Sequence, residues 1–200
     1  MVGYNTSVSL ISWTKGDPER LIEFSGRLCA NSTKHIDTDI EWVQKRVKQG
    51  HESILEHASA TFVIQCSRAV THELVRHRIA SYSQRSQRYA KEDGCTYFTP
   101  PELENDQAYH SIMKSLYENY KIFLDRGLKP EIARYILPNA WQTEIITTMN
   151  FRELRHFIKL RTSPNALPEM QEVANQIKKI CVEKWPRVFG DLKNQEAHNE

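Results

Sequence analysis

Apolar and polar positions along the chain sort into strand-like and helical stretches that follow one another. Val8-Ser9-Leu10-Ile11-Ser12-Trp13 reads as a strand, closed by Lys15-Gly16-Asp17-Pro18. There Asp17 suits a helix N-cap and Pro18 the first helical position, where the missing N–H goes unused anyway. A helix through Leu21, Phe24 and Leu28 follows. Thr38-Asp39-Ile40-Glu41 has the form of a capping box and predicts a helix through Val43 and Val47 that Gly50 stops. Thr61 to Cys66 is strand-like, and Arg68 to about Ile79 reads as helix with Val70, Leu74 and Val75 on its buried side. From Gln107 to Arg126, the set Tyr109, Met113, Leu116, Tyr117, Tyr120, Phe123 and Leu124 keeps helical spacing up to Gly127. Trp141 to Met149 is β-branched and strand-like. Asn150-Phe151-Arg152-Glu153 can then cap a helix carrying Leu154, Phe157 and Ile158. A last helix, about Pro168 to Lys184, shows a continuous stripe of Met170, Val173, Ala174, Ile177, Ile180 and Cys181.

Helices dominate and separate the few strands, so the pattern predicts an α/β or α+β domain without giving the order of its strands. No G-x-G-x-x-G or Walker loop occurs, and the seven glycines are isolated. Rossmann-type winding is therefore not expected, and phosphates would have to be held by side chains and helix N-termini. The 200 residues carry no repeat or linker that would split them, which predicts one domain over 1–200. Hydrophobic residues at 40% and charged residues at 26% exclude a low-complexity or wholly disordered chain.

A net charge of +2 gives little bulk attraction to nucleic acid or an anionic membrane, so any affinity for anions must come from local clustering. Cys29, Cys66, Cys95 and Cys181 form no C-x-x-C pair, which points to reduced thiols and not to a disulfide framework or a zinc site. No basic-then-apolar leader and no run of 18 apolar residues is present, so the expectation is a soluble cytoplasmic protein.

The most unusual stretch runs from Arg76 to Tyr89. No acidic residue lies between Glu73 and Glu92, while Arg76, Arg78, Arg85, Arg88 and Lys91 are interleaved with Ser81, Ser83, Ser86, Gln84 and Gln87. Guanidinium forks among small hydroxyls hold and orient a phosphate through charge-assisted bonds. The plainer alternative is a solvated basic face.

A second polar patch, Gly50 to His57, contains His51, Ser53 and His57 beside Glu52 and Glu56. His72 and His77 stand five apart, which turns the second about 140° away from the first on a helix, unlike the i, i+4 pair of a zinc helix. No metal site is expected. Arg134-Tyr135-Ile136-Leu137-Pro138 and the helix from Asn150 to Arg161 complete the candidates, with Arg152 and His156 on one helix face. No Ser–His–Asp spacing and no activated cysteine stands out.

Together these pieces resemble the flavin-dependent thymidylate synthases. Arg76 to Ser86 matches their R-H-R-(seven residues)-S signature, and G-H-E-S-x-x-E-H (Gly50 to His57), A-R-Y-I-L-P (Ala133 to Pro138) and N-F-R-E-L-R-H-F-x-x-L-R (Asn150 to Arg161) follow the family's order over roughly residues 50 to 175. The resemblance implies a homotetramer of single α/β domains, each with a mainly antiparallel sheet flanked by long helices, and active sites shared between subunits.

The implied reaction converts dUMP to dTMP. 5,10-methylenetetrahydrofolate is the carbon donor and NADPH reduces through FAD, with no enzyme nucleophile. His51, Ser53, Arg76, His77, Arg78, Gln84, Asn150, Arg152 and His156 would contact FAD. Glu73, Arg76, Gln84, Arg85, Ser86, Gln87, Arg88, Arg134 and Arg161 would bind dUMP. Arg161 corresponds to the arginine that favours the ionised pyrimidine, and is expected to be the catalytic residue. Neither nucleic acid nor membrane is an implied partner.

The chain departs from the family at Ser83 (often Asn), Gln84 (often Glu), Glu73 (often Gln) and Asn165 (often His). These departures leave open a different reading, a nucleotide- or nucleic-acid-binding module that grips phosphates with the Arg76–Arg88 cluster and has lost catalysis.

Overall fold

The computed structural model describes residues 6–39 and 41–193. Four antiparallel strands form one sheet in the order β1-β2-β4-β3, with β1 at Ser7–Trp13, β2 at Ser59–Ser67, β3 at Ala80–Gln84 and β4 at Gln142–Asn150. The helices are α1 (Pro18–Cys29), α2 (Trp42–Lys48), α3 (Arg68–Leu74), α4 (Gln107–Asp125), α5 (Pro130–Ala133), α6 (Phe151–Arg161), α7 (Pro168–Lys184) and α8 (Pro186–Phe189). The antiparallel sheet and α/β character match the sequence expectation, and no described helix is long and apolar enough to cross a membrane.

The nine-residue strands β2 and β4 pair along their whole length, from Ser59 opposite Asn150 to Ser67 opposite Gln142. Period-2 alternation puts Ala60, Phe62, Ile64, Cys66, Ile145 and Met149 on one buried face. Leu154, Phe157 and Ile158 of α6 and Met170, Val173, Ile177 and Cys181 of α7 close the core over that face. A smaller cluster of Tyr97, Met113 and Trp141 ties α4 to the end of the sheet, with Tyr117 stacked on Trp141.

Three local features depart from the sequence reading. The helix predicted from Arg68 to Ile79 ends at Leu74, and Val75 is exposed. Tyr82 accounts for this: its hydroxyl lies 2.8 Å from the carbonyls of both Leu74 and His77, shares its one proton between them, and so takes acceptors that further helical turns would use. The strand β3 is not announced by its Ala-Ser-Tyr-Ser-Gln sequence. It exists because five of its residues register against β4, from Ala80 opposite Met149 to Gln84 opposite Ile145.

The capping box also fails to form. Thr38 donates back to the His35 carbonyl at 2.7 Å, Asp39 accepts the Glu41 N–H at 3.1 Å, and α2 starts at Trp42. Ile40 lies outside the described residues. The helix expected through Leu21, Phe24 and Leu28 forms as α1, with these three side chains 36%, 44% and 60% exposed.

The inner side of α1 instead buries charge. Glu23 accepts from Arg27 at 2.6 Å and from Arg187, and the Arg27 guanidinium lies 4.8 Å from the centre of the Trp42 ring. Trp42 packs so close to Gly26 that an added Cβ would meet it at 2.5 Å.

Glu19 is the most perturbed carboxylate of this inner side. Burial pushes its pKa up to about 7 against the Val188 and Arg187 backbone bonds and the Arg187 charge, which pull it down. A raised folded-state value means Glu19 adds stability below its unfolded pKa, near 4.5, that is lost as pH rises through about 7. Glu19→Gln should therefore match the parent in urea unfolding at pH 4.5. At pH 8 it should exceed the parent by about 2 kcal/mol, after allowance for solvent screening. Parallel stability curves across that range would count against ionisation at Glu19.

Candidate functional site

Where β4 passes into α6, Asn150 caps the helix by accepting the Glu153 N–H at 2.8 Å. This entry turns Glu153, Leu154, Arg155 and Phe157 inward and leaves Arg152 and His156 exposed. Arg155 anchors the helix from beneath, with both terminal nitrogens on the Asp191 carboxylate at 2.7 and 2.6 Å.

On this rigid helix, Glu153 Oε1 lies 2.7 Å from His77 Nδ1, and Arg161 Nε donates to His77 Nε2 at 3.1 Å. Arg161 Nη1 meets Glu73 Oε2 at 2.9 Å, and its Nη2 donates to the Glu73 carbonyl at 3.3 Å. His77 is 5% exposed, with Phe157 edge-on at 5.1 Å and His156 at 5.7 Å between ring centres. Desolvation pulls the His77 pKa below its ordinary value; Glu153 opposes this, while Arg161 and His156 add to it.

His77, Glu153 and His156 offer ligand atoms within 4.8 Å of one another. Both ring nitrogens of His77 are already bonded, and a guanidinium stands against the group, so the arrangement suits a hydrogen-bond chain better than a cation.

Arg76 and Arg78 are exposed and form no ion pair among the described residues. Farther along, Arg152 Nη1 pairs with Glu56 Oε1 at 2.5 Å, beside the exposed His51 and Ser53. Burial separates His77 from its RHR neighbours: the two arginines face solvent, and the imidazole faces Arg161.

The other predicted residues gather at the far end of β3. Arg85 Nη2 donates to Glu92 Oε2 at 2.7 Å and to the Gln142 carbonyl at 3.1 Å, and Arg88 Nε donates to Glu131 Oε2 at 2.9 Å. The Tyr120 hydroxyl fixes the buried Glu92 by accepting its N–H at 3.0 Å. Gln87 is 5% exposed and its side-chain nitrogen has no partner. Gln84 points into the sheet's buried side, where it donates to Thr71 at 3.1 Å and Thr143 at 3.4 Å. Ser86 accepts the Arg88 N–H at 3.2 Å, and no histidine or carboxylate among the described residues bonds its hydroxyl. Burial pushes the Cys66, Cys181 and Cys95 thiols up, away from nucleophilic use.

Sequence reasoning missed three members of these groups. Arg68 lies close enough to Arg85, Arg134 and Glu92 to feel their charges, and its Nη1 is buried without a partner. Desolvation lowers its pKa, Glu92 opposes, and the two arginines push it further down. A signal was present, since an arginine at the first position of a helix runs against the helix dipole. Glu92 and Glu153 carried no such signal, because only folding brings them to Arg85 and His77.

The two groups sit at opposite ends of β3, a five-residue strand roughly 13 Å long. One end offers a fork, Arg161, held on three of its nitrogens. The other offers several guanidinium groups with a single buried carboxylate among them, an anion site in its chemistry.

Residues 9–187 match the family described as "Thymidylate synthase complementing protein". The chain is 40% identical over 190 residues to a flavin-dependent thymidylate synthase of Geobacter sulfurreducens, covering 88% of this chain and 82% of that one. It is 43% identical over 183 residues to one of Pyrococcus furiosus, covering 84% and 75%. The fold is similar to that of the UMP/dUMP methylase PolB from Streptomyces cacaoi, bound with 5-Br dUMP, with a TM-score of 0.82 over 93% of each chain and 22% identity. At that identity the likeness establishes the fold.

Proposed function

This chain belongs to the thymidylate synthase complementing protein family, among relatives named flavin-dependent thymidylate synthases, and from that premise we propose that it methylates dUMP to dTMP. In this reading 5,10-methylenetetrahydrofolate donates the carbon and NADPH the reducing equivalents. The observation that carries it is the pair of anion-seeking ends: the Arg161 fork at one end of β3, and the Arg68, Arg85 and Arg134 cluster with the unpartnered Gln87 nitrogen at the other.

A nucleotide phosphate fits the second end. Arg68, Arg134, Ser86, Gln87 and Arg88 would bind it, with Arg85 held in place by Glu92. The Arg161 fork faces the pyrimidine, where a fixed positive charge stabilises the negative charge that develops on the ring. Gln84, bonded beneath the sheet, supports the cradle from below. Ser86 acts as a binding hydroxyl, since nothing beside it would take its proton.

FAD fits the exposed strip along α6 and the 3-10 turn before β2. Arg76, Arg78, Arg152 and His156 would hold it, with His51, Ser53 and Asn150 alongside, because that strip combines exposed guanidinium and imidazole donors with a helix start. Bound flavin would supply the hydride chemistry that carries reducing equivalents from NADPH to the transferred methylene, which becomes the methyl group of dTMP. The chain itself binds, orients and supplies fixed charge.

Because the two ends lie so far apart in one chain, the active site is proposed to form between copies, the cradle of one meeting Arg161 of another. The exposed Leu21, Phe24 and Leu28 stripe of α1 gives such an assembly, a homotetramer in this reading, an apolar face to cover.

The test is the visible spectrum of the purified protein, followed anaerobically on adding NADPH with and without dUMP. Flavin bands that bleach on reduction and recover with dUMP and methylenetetrahydrofolate, as dTMP appears, are the expected result. A protein that stays colourless after incubation with FAD yet binds polyanions would replace the enzyme by a phosphate-binding module.

A further inference from the structure

We infer that Glu153, acting through His77, is a positioning residue for Arg161, so that carboxylate, imidazole and guanidinium work as one chain. The inference rests on the reading above in one respect, that Arg161 faces the pyrimidine. The rest follows from who can donate. Arg161 has no acceptor, so its Nε–H must donate to His77 Nε2, at 3.1 Å. Nε2 therefore carries a lone pair. The ring proton then sits on Nδ1, where Glu153 accepts it at 2.7 Å. His77 is neutral, in one tautomer, and Glu153 selects that tautomer.

The consequence falls on the guanidinium. Glu73 takes the far side of the Arg161 fork, but its side chain is 36% exposed and can yield to a ligand. The His77–Glu153 side is buried, at 3% and 8% side-chain exposure. As substrate displaces Glu73, the buried side alone keeps Arg161 aimed.

A proton on His77 Nε2 would set donor against donor and positive charge against positive charge, and Arg161 would turn away. The charged and titratable groups facing His77 are Glu153, His156 and Arg161 from α6 and Glu73 from α3, paired to Arg161. The Tyr82 hydroxyl of β3 holds the His77 carbonyl. Among these, Glu153 and Glu73 favour the imidazolium, while His156 and Arg161 disfavour it. Turnover is thus expected to fall on the acid side as His77 gains a proton.

The measurement is solid-state 15N NMR of the histidine-labelled protein at pH 8, with His77 assigned by its loss in His77→Gln. It runs alongside the pH profile of turnover for the parent, Glu153→Gln and Glu153→Leu. We expect an Nδ1–H, Nε2-unprotonated His77 in the parent. Turnover should fall about 100-fold in Glu153→Leu and about 10-fold in Glu153→Gln, which keeps an acceptor, with flavin content held. The acid limb of Glu153→Gln should move to lower pH, because a charge that favoured the imidazolium is gone; a merely structural residue would leave that limb in place.

An Nε2–H or doubly protonated His77 at pH 8 would overturn the inference, as would an unmoved acid limb with unchanged turnover in Glu153→Gln. If the parent shows the Nδ1–H signal but makes no dTMP, the proposed reaction fails, and the chain's part in turnover with it. The bonding arrangement would still stand on the NMR result.

Discussion

Arg161→Ala is expected to lower dTMP formation about 1,000-fold while FAD content and subunit assembly stay as in the parent. A preorganised donor aimed at developing charge contributes about 3–4 kcal/mol to a transition state, and here the donor also carries a full charge. The geometry leaves no local substitute. Three of the guanidinium nitrogens are committed, to His77, to the Glu73 carboxylate and to its carbonyl, so the fork is oriented before substrate arrives. Arg161→Lys should recover little, because an ammonium keeps the charge but loses the planar fork that meets His77 and Glu73 together. Added guanidinium should restore part of the Arg161→Ala rate. Steady-state kinetics at saturating dUMP provide the check, and near-parental turnover in Arg161→Ala would remove this residue from the chemistry.

Removing Arg68 should act on the other end of the nucleotide, and with a distinct signature. Its Nη1 is buried without a partner, desolvation disfavours its charge, and the like charges of Arg134 and Arg85 act against the attraction of Glu92. A half-buried guanidinium with one nitrogen left unpaired destabilises the empty protein and is relieved when a dianion binds. Arg68→Ala should therefore weaken dUMP binding about 30-fold, equivalent to about 2 kcal/mol for a lost charge-assisted bond. Deoxyuridine, which lacks the phosphate, should bind as before. The unliganded variant should melt no lower than the parent, and the thermal shift caused by dUMP should shrink. Equal losses for dUMP and deoxyuridine would mean that Arg68 supports the fold and does not hold the phosphate.

Local structure was legible wherever one residue type has one mechanical use. Asp17 and Pro18 open α1, Asn150 caps α6, and the stripe from Met170 to Cys181 lies against the sheet on α7. The strands Val8 to Trp13, Thr61 to Cys66 and Trp141 to Met149 appear within a residue or two of their expected ends. The misread elements share a cause, in that a distant group overrides a local preference. The Tyr82 hydroxyl stops α3, and β4 makes a strand of Ala80–Gln84.

The site divides in the same way. Which residues are candidates could be read from the chain, because arginines, hydroxyls and amides follow one another there in the order the family resemblance marks. What each one does could not. Composition and periodicity cannot tell that His77 faces inward while Arg76 and Arg78 face solvent, since adjacent residues at a helix end leave in different directions. Nor can they show Arg68 beside Arg134, 66 positions later in the chain. Hydrogen bonds and Coulomb forces act through space, so the identity of the donors is a property of the sequence. Their pairing (Glu153 with His77, Glu92 with Arg85) and the distance between the two ends of β3 were decided only when the strands found their register.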